Sequence, residues 1–409
     1  MAEEVCRGGS ETHKNPRICI VHRYPIKDAI GTNPSLLLVV QELVKSGWFV
    51  TYLSYRSSLD NDHHIPGLRV LSLPLTYDRR RRFDMRVKSL IFVILSPVFL
   101  LMRRTDFDVV YCEDALPVYQ YLIKKATGLK VIYRMGDHMI GYFLADTSNP
   151  LVRLLAAVAT YPEACMLRAL DRVLPISKSM CDYLVSRGIP AGAASIASEC
   201  VDTDLFKPGI DREGKRRELG VLDSEILVMF HGSLASWKGT EILIPSVSQL
   251  MSDKSNVKLM IVGDGPALYH LERLSVDFRI RSRAIFTGWV RYDLLPRYIA
   301  ACDIGIVLRN AAFGNNFVLT TALLQYLACD RPVIAPRLLE IQTLLPDPLL
   351  FTPGDGIDLA SKLRSIIDKV QENNPFFQEL GRRIRSRYSK EAVARDLLRE
   401  IKQIVGVPG

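Results

Sequence analysis

The stretch Phe230-His231-Gly232-Ser233-Leu234-Ala235-Ser236-Trp237-Lys238-Gly239 is an apolar strand running into a glycine-flanked turn that carries one lysine, just ahead of a helical pattern. A turn of this kind can hold a phosphate. Gly232 lets the backbone approach an anion, the helix start offers unpaired N–H groups and the positive end of its dipole, and Lys238 adds a full charge. Alone the signal is weak, because any strand-to-helix turn can carry Gly and Lys.

The segments that follow change its weight. Lys258-Leu259-Met260-Ile261-Val262-Gly263-Asp264-Gly265-Pro266 is a buried strand ending in a second glycine turn. Ala284-Ile285-Phe286-Thr287-Gly288-Trp289-Val290, Asp303-Ile304-Gly305-Ile306-Val307-Leu308 and Arg331-Pro332-Val333-Ile334-Ala335-Pro336 are further short apolar runs, spaced by helix-length segments. They read as parallel strands with ligand-facing loops at their C-terminal ends, hence a doubly wound α/β domain.

In this order and spacing the blocks resemble the donor-binding half of the retaining GT-B-type glycosyltransferases (glycosyl transferases group 1, family 4-like). The resemblance reaches the first half too. Arg17-Ile18-Cys19-Ile20-Val21-His22 is similar to the opening strand and Asp108-Val109-Val110-Tyr111 to a later one. Asp171-Arg172-Val173-Leu174-Pro175-Ile176-Ser177-Lys178 resembles the late strand and helix start, and Val201-Asp202-Thr203-Asp204-Leu205-Phe206-Lys207-Pro208 the interdomain junction. Over roughly residues 17 to 400 it implies two Rossmann-like doubly wound α/β domains facing a central cleft.

Size and composition agree. A chain of 409 residues is too long for one ordinary core and divides naturally into two domains; the resemblance implies an acceptor-side domain over 1–208, a nucleotide-sugar domain over 209–385 and a terminal helix over 386–409 that crosses back to the first domain. No apolar run reaches 18 residues and the first 15 are polar, so neither a spanning helix nor a signal peptide is expected. The eight scattered cysteines, without a CxxC pair, favour reduced core thiols in a cytoplasmic protein.

The net charge of +9 is uneven. Arg79-Arg80-Arg81-Arg82, Arg86 and Lys88 precede the 14-residue apolar run 89–102, and Arg103-Arg104 follow it. At about 1.5 Å per residue the run spans roughly 21 Å, too short for a ~30 Å hydrocarbon core. It is either a core helix with a solvated basic flank or, over 79–104, a peripheral contact with an anionic membrane surface. Nucleic acid is not expected as a partner, since the basic run has no interleaved aromatics.

The resemblance also implies a site. Lys238 with the backbone at Gly232 and Ser233 would serve the leaving diphosphate, although the family commonly has arginine where Ser233 stands. Gly263, Gly265 and Val290 fall in donor-binding loops. The family usually has two glutamates eight residues apart in the later loop, and here Phe317 and Gln325 occupy those positions, leaving Asn315, Asn316 and Val318 beside the donor sugar and Gln325 on the ribose. After the strand Lys130-Val131-Ile132-Tyr133-Arg134, Asp137 or His138 takes the polar role that a histidine has in many members. Gly31-Thr32-Asn33 is either a turn with a helix cap or a backbone closure over diphosphate or acceptor.

Two functions follow as expectations. One is a retaining hexosyltransferase-like enzyme using a nucleotide-diphosphate-sugar on a glycan or lipid-linked acceptor at the inner face of a membrane, with no cofactor and no metal. The other is a GT-B-fold binding or partner protein that has lost turnover, suggested by the missing glutamates.

Overall fold

Alternate residues of β1 (Arg17–Val21) divide between two cores. Cys19 and Val21 enter one buried cluster, Ile18 and Ile20 the other. This is the period-two pattern of a strand covered on both faces. β2 (Phe49–Arg56), β3 (Leu68–Thr76), β4 (Val109–Glu113), β5 (Lys130–Met135) and β6 (Arg172–Pro175) complete a parallel sheet in the order β3-β2-β1-β4-β5-β6. The computed structural model describes residues 15–26, 34–56, 65–76, 82–113, 117–138, 150–235, 238–367 and 374–407.

A second parallel sheet is made by β7 (Ile226–His231), β8 (Val257–Val262), β9 (Ala284–Gly288), β10 (Ile304–Ile306), β11 (Val333–Pro336) and β12 (Leu350–Phe351), ordered β12-β11-β10-β7-β8-β9. Read from its first strand, each sheet runs outward in one direction for three strands and in the other for three. The reversal falls between β1 and β4 in the first sheet and between β7 and β10 in the second. Ligands of such sheets bind in the crevice outside the strand C-termini at that reversal.

Two segments cross between the domains side by side. The Val201 N–H donates to the Tyr388 carbonyl at 2.8 Å, and Lys390 Nζ sits 2.9 Å from Asp202 Oδ1 and 2.6 Å from Asp204 Oδ2. Beyond them the Lys390–Val405 helix, capped by Ser389, packs on the Pro34–Lys45 helix of the first domain. Its Val393, Leu397 and Ile401 are buried beside Leu36, Val39 and Leu43. Each such side chain contributes about 1.5–3 kcal/mol.

The apolar run 89–102 belongs to a helix, Arg82–Met102, with one side buried and the other exposed. Phe92, Ser96 and Leu100 face the sheet, where Ser96 Oγ and Tyr119 Oη are 2.8 Å apart. Ile94, Val98, Leu101 and Met102 are exposed on the other side. Among the described residues no helix is long and apolar enough to cross a membrane.

Candidate active site

The loops after β7 and β8 are joined backbone to backbone. Gly232 donates to Val262 O (3.0 Å), Leu234 to Asp264 O (3.0 Å) and Gly263 to Gly288 O (2.9 Å). A Cβ on Gly263 would lie 1.9 Å from Gly232 O, and one on Gly265 2.4 Å from Leu234 O; both residues also have positive φ, 146° and 154°. Only glycine fits such an approach. Together with His231, Ser233, Asp264, Trp289, Val290 and Leu295 these backbones line a cavity of about 830 Å³. Burial, with help from Lys238, pushes His231 down to about 3, so its imidazole is neutral. Among the described residues its Nε2 has no hydrogen-bond partner.

Lys238 folds back over the first turn, its Nζ 3.6 Å from where a Gly232 Cβ would stand. Burial pushes its ammonium down to about 8, and the charge of Arg309 adds to the shift. Arg309 follows β10, on the far side of the reversal from β7, and its backbone packs against Gly239. Its Nη1 donates to Asn315 Oδ1 at 3.3 Å. Asn315 is fully buried, its amide donating to Asn310 O and Oδ1 at 3.1 and 2.6 Å.

A second cavity, about 290 Å³, lies between the domains. Its C-terminal wall is Arg309 with Val318, Leu319, Thr320 and Thr321. The N-terminal wall comes from the loop after β1, the C-terminal ends of β4 and β5 and the loop after β5: His22 and Tyr24, Glu113, Arg134, Gly136 and Asp137, with Ile176 and Glu199. Arg134 is buried between two carboxylates, Nη1 to Glu113 Oε1 at 3.5 Å and Nη2 to Glu199 Oε1 at 3.6 Å. These charges raise its pKa against the opposing effect of burial. Tyr111 Oη donates to Glu113 at 2.8 Å. Carboxylates are acceptors of the kind that the hydroxyls of a sugar or polyol need.

Several residues named from sequence are placed otherwise than expected. Of the pair Asp137 and His138, Asp137 is exposed on the interdomain cavity. His138 is fully buried, Nε2 3.4 Å from Glu163 Oε2 and ringed by Tyr183, Phe313 and Phe317 at 5.1 to 5.8 Å. It turns inward because this aromatic nest, two of whose rings come from the other domain, covers it better than the cleft would. Phe317 is thereby part of the N-terminal core rather than the donor pocket. Asn315 braces Arg309 instead of facing a sugar; Asn316 lends its carbonyl to Glu340 N (3.0 Å). Val318 reaches the interdomain cavity.

Gln325 is buried near Tyr292 and lines neither cavity. Ser233 is exposed on the larger cavity. Gly31, Thr32 and Asn33 lie outside the described residues, as do Ser236 and Trp237. His231, Glu113, Arg134, Glu199 and Arg309 were not singled out as site residues from the sequence. The available signal was a charged or polar residue at or just past the C-terminal end of an apolar strand, where ligands of such sheets bind.

With this geometry in place, the comparisons are specific. Residues 225–369 match the model of the family glycosyl transferases group 1. A GDP-mannose-dependent alpha-(1-6)-phosphatidylinositol monomannoside mannosyltransferase of Mycolicibacterium smegmatis is 25% identical over 283 residues, covering 68% of this chain and 71% of that protein. A phosphatidylinositol N-acetylglucosaminyltransferase component of Arabidopsis thaliana is 21% identical over 387 residues, 93% of this chain and 80% of its own length. Among solved structures, Anabaena HepE in complex with UDP and glucose superposes with a TM-score of 0.70 at 17% identity, over 94% of this chain and 99% of that one. Sucrose-phosphate synthase from Thermosynechococcus elongatus gives 0.75 at 19%, over 96% and 100%. The C-terminal domain thus matches that family over 225–369, and the whole chain has the two-domain GT-B fold of these solved structures.

Proposed function

We propose that the protein transfers a sugar from a nucleotide-diphosphate-sugar to a hydroxyl acceptor with retention of anomeric configuration and without a metal ion. The observation that carries this reading is Lys238 folded over Gly232, in the loop that leaves β7 beside the strand reversal. The nucleoside occupies the larger cavity beside Trp289 and Val290, the diphosphate lies over Gly232, and the sugar enters the interdomain cavity. When the bond from the anomeric carbon to the diphosphate breaks, the leaving oxygen gains charge and Lys238 steadies it. Asp137 is the exposed carboxylate near the sugar, and Glu113 and Glu199 orient the acceptor. HepE, crystallised with UDP and glucose, lends support by its fold.

The acceptor is taken at a membrane surface. The exposed residues Ile94, Val98, Leu101 and Met102 of the Arg82–Met102 helix have a counterpart in Leu151, Leu154, Val158 and Tyr161, which form one face of the Pro150–Arg168 helix. Both helices pack on the Pro117–Thr127 helix, whose Leu122 is also exposed. Basic residues Arg103, Arg104 and Lys125 border this row, matching an anionic interface. The lipid-linked substrates named for the mycobacterial relative fit such a location.

One observation favours a second reading, a binding protein without turnover: Phe317, where the family usually has a carboxylate, is committed to the N-terminal aromatic nest. Incubation with UDP-, GDP- and ADP-sugars in chelator, in the presence of hydroxylated acceptors, separates the two. Nucleotide release that persists in chelator supports the enzyme; tight binding without release supports the binding protein.

A further inference from the structure

We propose that the protein holds its interdomain cleft closed without a ligand, through a latch that Glu340 and Phe317 of the C-terminal domain make on the Lys178–Ser186 helix of the N-terminal one. The helix is gripped at two points. At its start Ser177 Oγ accepts from Met180 N at 3.1 Å, an ordinary cap within the domain. The Ser179 N–H lies in the first turn, where helical amides have no acceptor in their own helix, and it donates across the domains to Glu340 Oε2 at 3.0 Å. Ser179 Oγ donates to the same oxygen at 2.7 Å. Glu340 is 6% exposed, and its carboxylate meets the positive end of the helix dipole. About one turn further along, the Tyr183 ring lies 5.1 Å from Phe317 and 5.6 Å from Phe313. Phe317 is 2% exposed and, with Val318, belongs to the buried cluster of the N-terminal domain.

The two grips are joined. Glu340 N donates to Asn316 O at 3.0 Å, so the residue that takes the helix end by its side chain holds the Phe313–Phe317 turn by its backbone. Pulling Phe317 out of the aromatic nest therefore disturbs Glu340, and the converse holds. Domains of one chain usually move against each other unless their interface is apolar, and here a buried aromatic anchor crosses it. A carboxylate in place of Phe317 would be buried among rings, which accounts for the phenylalanine. The latch stands directly behind both walls of the interdomain cavity. Ile176, two residues before the helix, lines one side, and Val318 to Thr321, which follow Phe317, line the other. Glu340 and Phe317 are thus positioning residues that set the width of this cavity. Only here does the inference rest on the transfer reading above: with the latch shut, the acceptor meets a preformed cavity and donor binding closes nothing further.

The test is amide-resolved hydrogen exchange on the full chain, because the Ser179 amide is bonded to the other domain while the Met180 amide, bonded to Ser177, is a control in the same turn. In the wild type without nucleotide both amides should be protected, and UDP or GDP should slow Ser179 by less than about threefold. Glu340→Ala should speed Ser179 by about tenfold or more, the range of a hydrogen bond to a charged group, and Met180 by less than about threefold. Phe317→Ala removes no hydrogen bond at the helix start, yet it should speed Ser179 by about threefold or more through the joined grips. Glu340→Gln keeps an acceptor of the same length without the charge; it should fall between, and it stands in should the alanine variant fail to fold. Rapid exchange of Ser179 in the nucleotide-free wild type, no response of Ser179 to either alanine variant, or equal acceleration of Ser179 and Met180 would overturn the inference. If UDP, GDP and ADP all fail to bind the wild type while Ser179 responds as stated, the donor-site reading fails and the latch stands.

Discussion

The crevices at the two strand reversals share one topology and differ in chemistry. The C-terminal crevice has glycine backbones in contact, a neutral histidine and two cations, Lys238 and Arg309. Among the described residues its N-terminal counterpart has Glu113 and Glu199 against the buried Arg134, with Asp137 on the same cavity. Strand order decides where a ligand binds, and the few residues at the strand ends decide which ligand. On the proposed reading one crevice takes the diphosphate, its partner takes hydroxyls, and the reaction lies between them.

The comparison breaks most visibly at Arg134. Arg134→Met strands Glu113, buried and hydrogen-bonded to Tyr111, beside an apolar side chain. The expected loss is about 3–5 kcal/mol in stability, the usual cost of removing one partner of a buried pair, read by urea denaturation. An unchanged midpoint would mean that water reaches Glu113 freely. On the C-terminal side, Gly263→Ala forces a Cβ onto Gly232 O at a positive φ. We expect about 1–3 kcal/mol of destabilisation and a loss of nucleotide affinity, measured by melting with and without UDP or GDP. Normal affinity in that variant would show that the two loops need not touch.

Acidity sharpens the contrast. The folded protein holds Lys238 near 8, below its ordinary 10.5, so between those values the unfolded chain binds more protons. This lysine's contribution to the stability of the unliganded protein is therefore full above about 10.5 and lost as pH falls through about 8. Nucleotide affinity runs the opposite way, highest with the ammonium charged and falling as pH rises past 8. Lys238→Ala should flatten both trends, and melting curves from pH 7 to 10.5 with and without ligand compare them. The smallest effect is expected at Gln325. Because it lines neither cavity, Gln325→Leu should change nucleotide affinity by less than about threefold, or about 0.7 kcal/mol. A tenfold loss of affinity would place Gln325 on the ribose after all.

The C-terminal sheet was legible because its strands are continuous apolar runs ended by Gly or Pro, and the quoted segments coincide with β8 to β11. Lys238 and its glycines stand out in the sequence for the same reason, since the proposed phosphate turn is local. The rest of the site is not local. Arg309, Glu113 and Arg134 each look like an ordinary charged residue near a strand end, and only the strand order brings them to one cleft. His138 and Phe317 misled in the opposite sense. Their position along the chain pointed to the cleft, but packing across the domains drew both into one aromatic nest.

Titration of UDP, GDP and ADP into wild type and Lys238→Ala, at pH 7 and with chelator present, tests the central claim most directly. The claim is that the glycine turn after β7 anchors a nucleoside diphosphate without metal. One nucleotide should bind the wild type, and Lys238→Ala should weaken it by about 1.5–3 kcal/mol, the worth of a hydrogen bond to a charged group. Equal affinity of the two proteins, or binding that disappears in chelator, would contradict it.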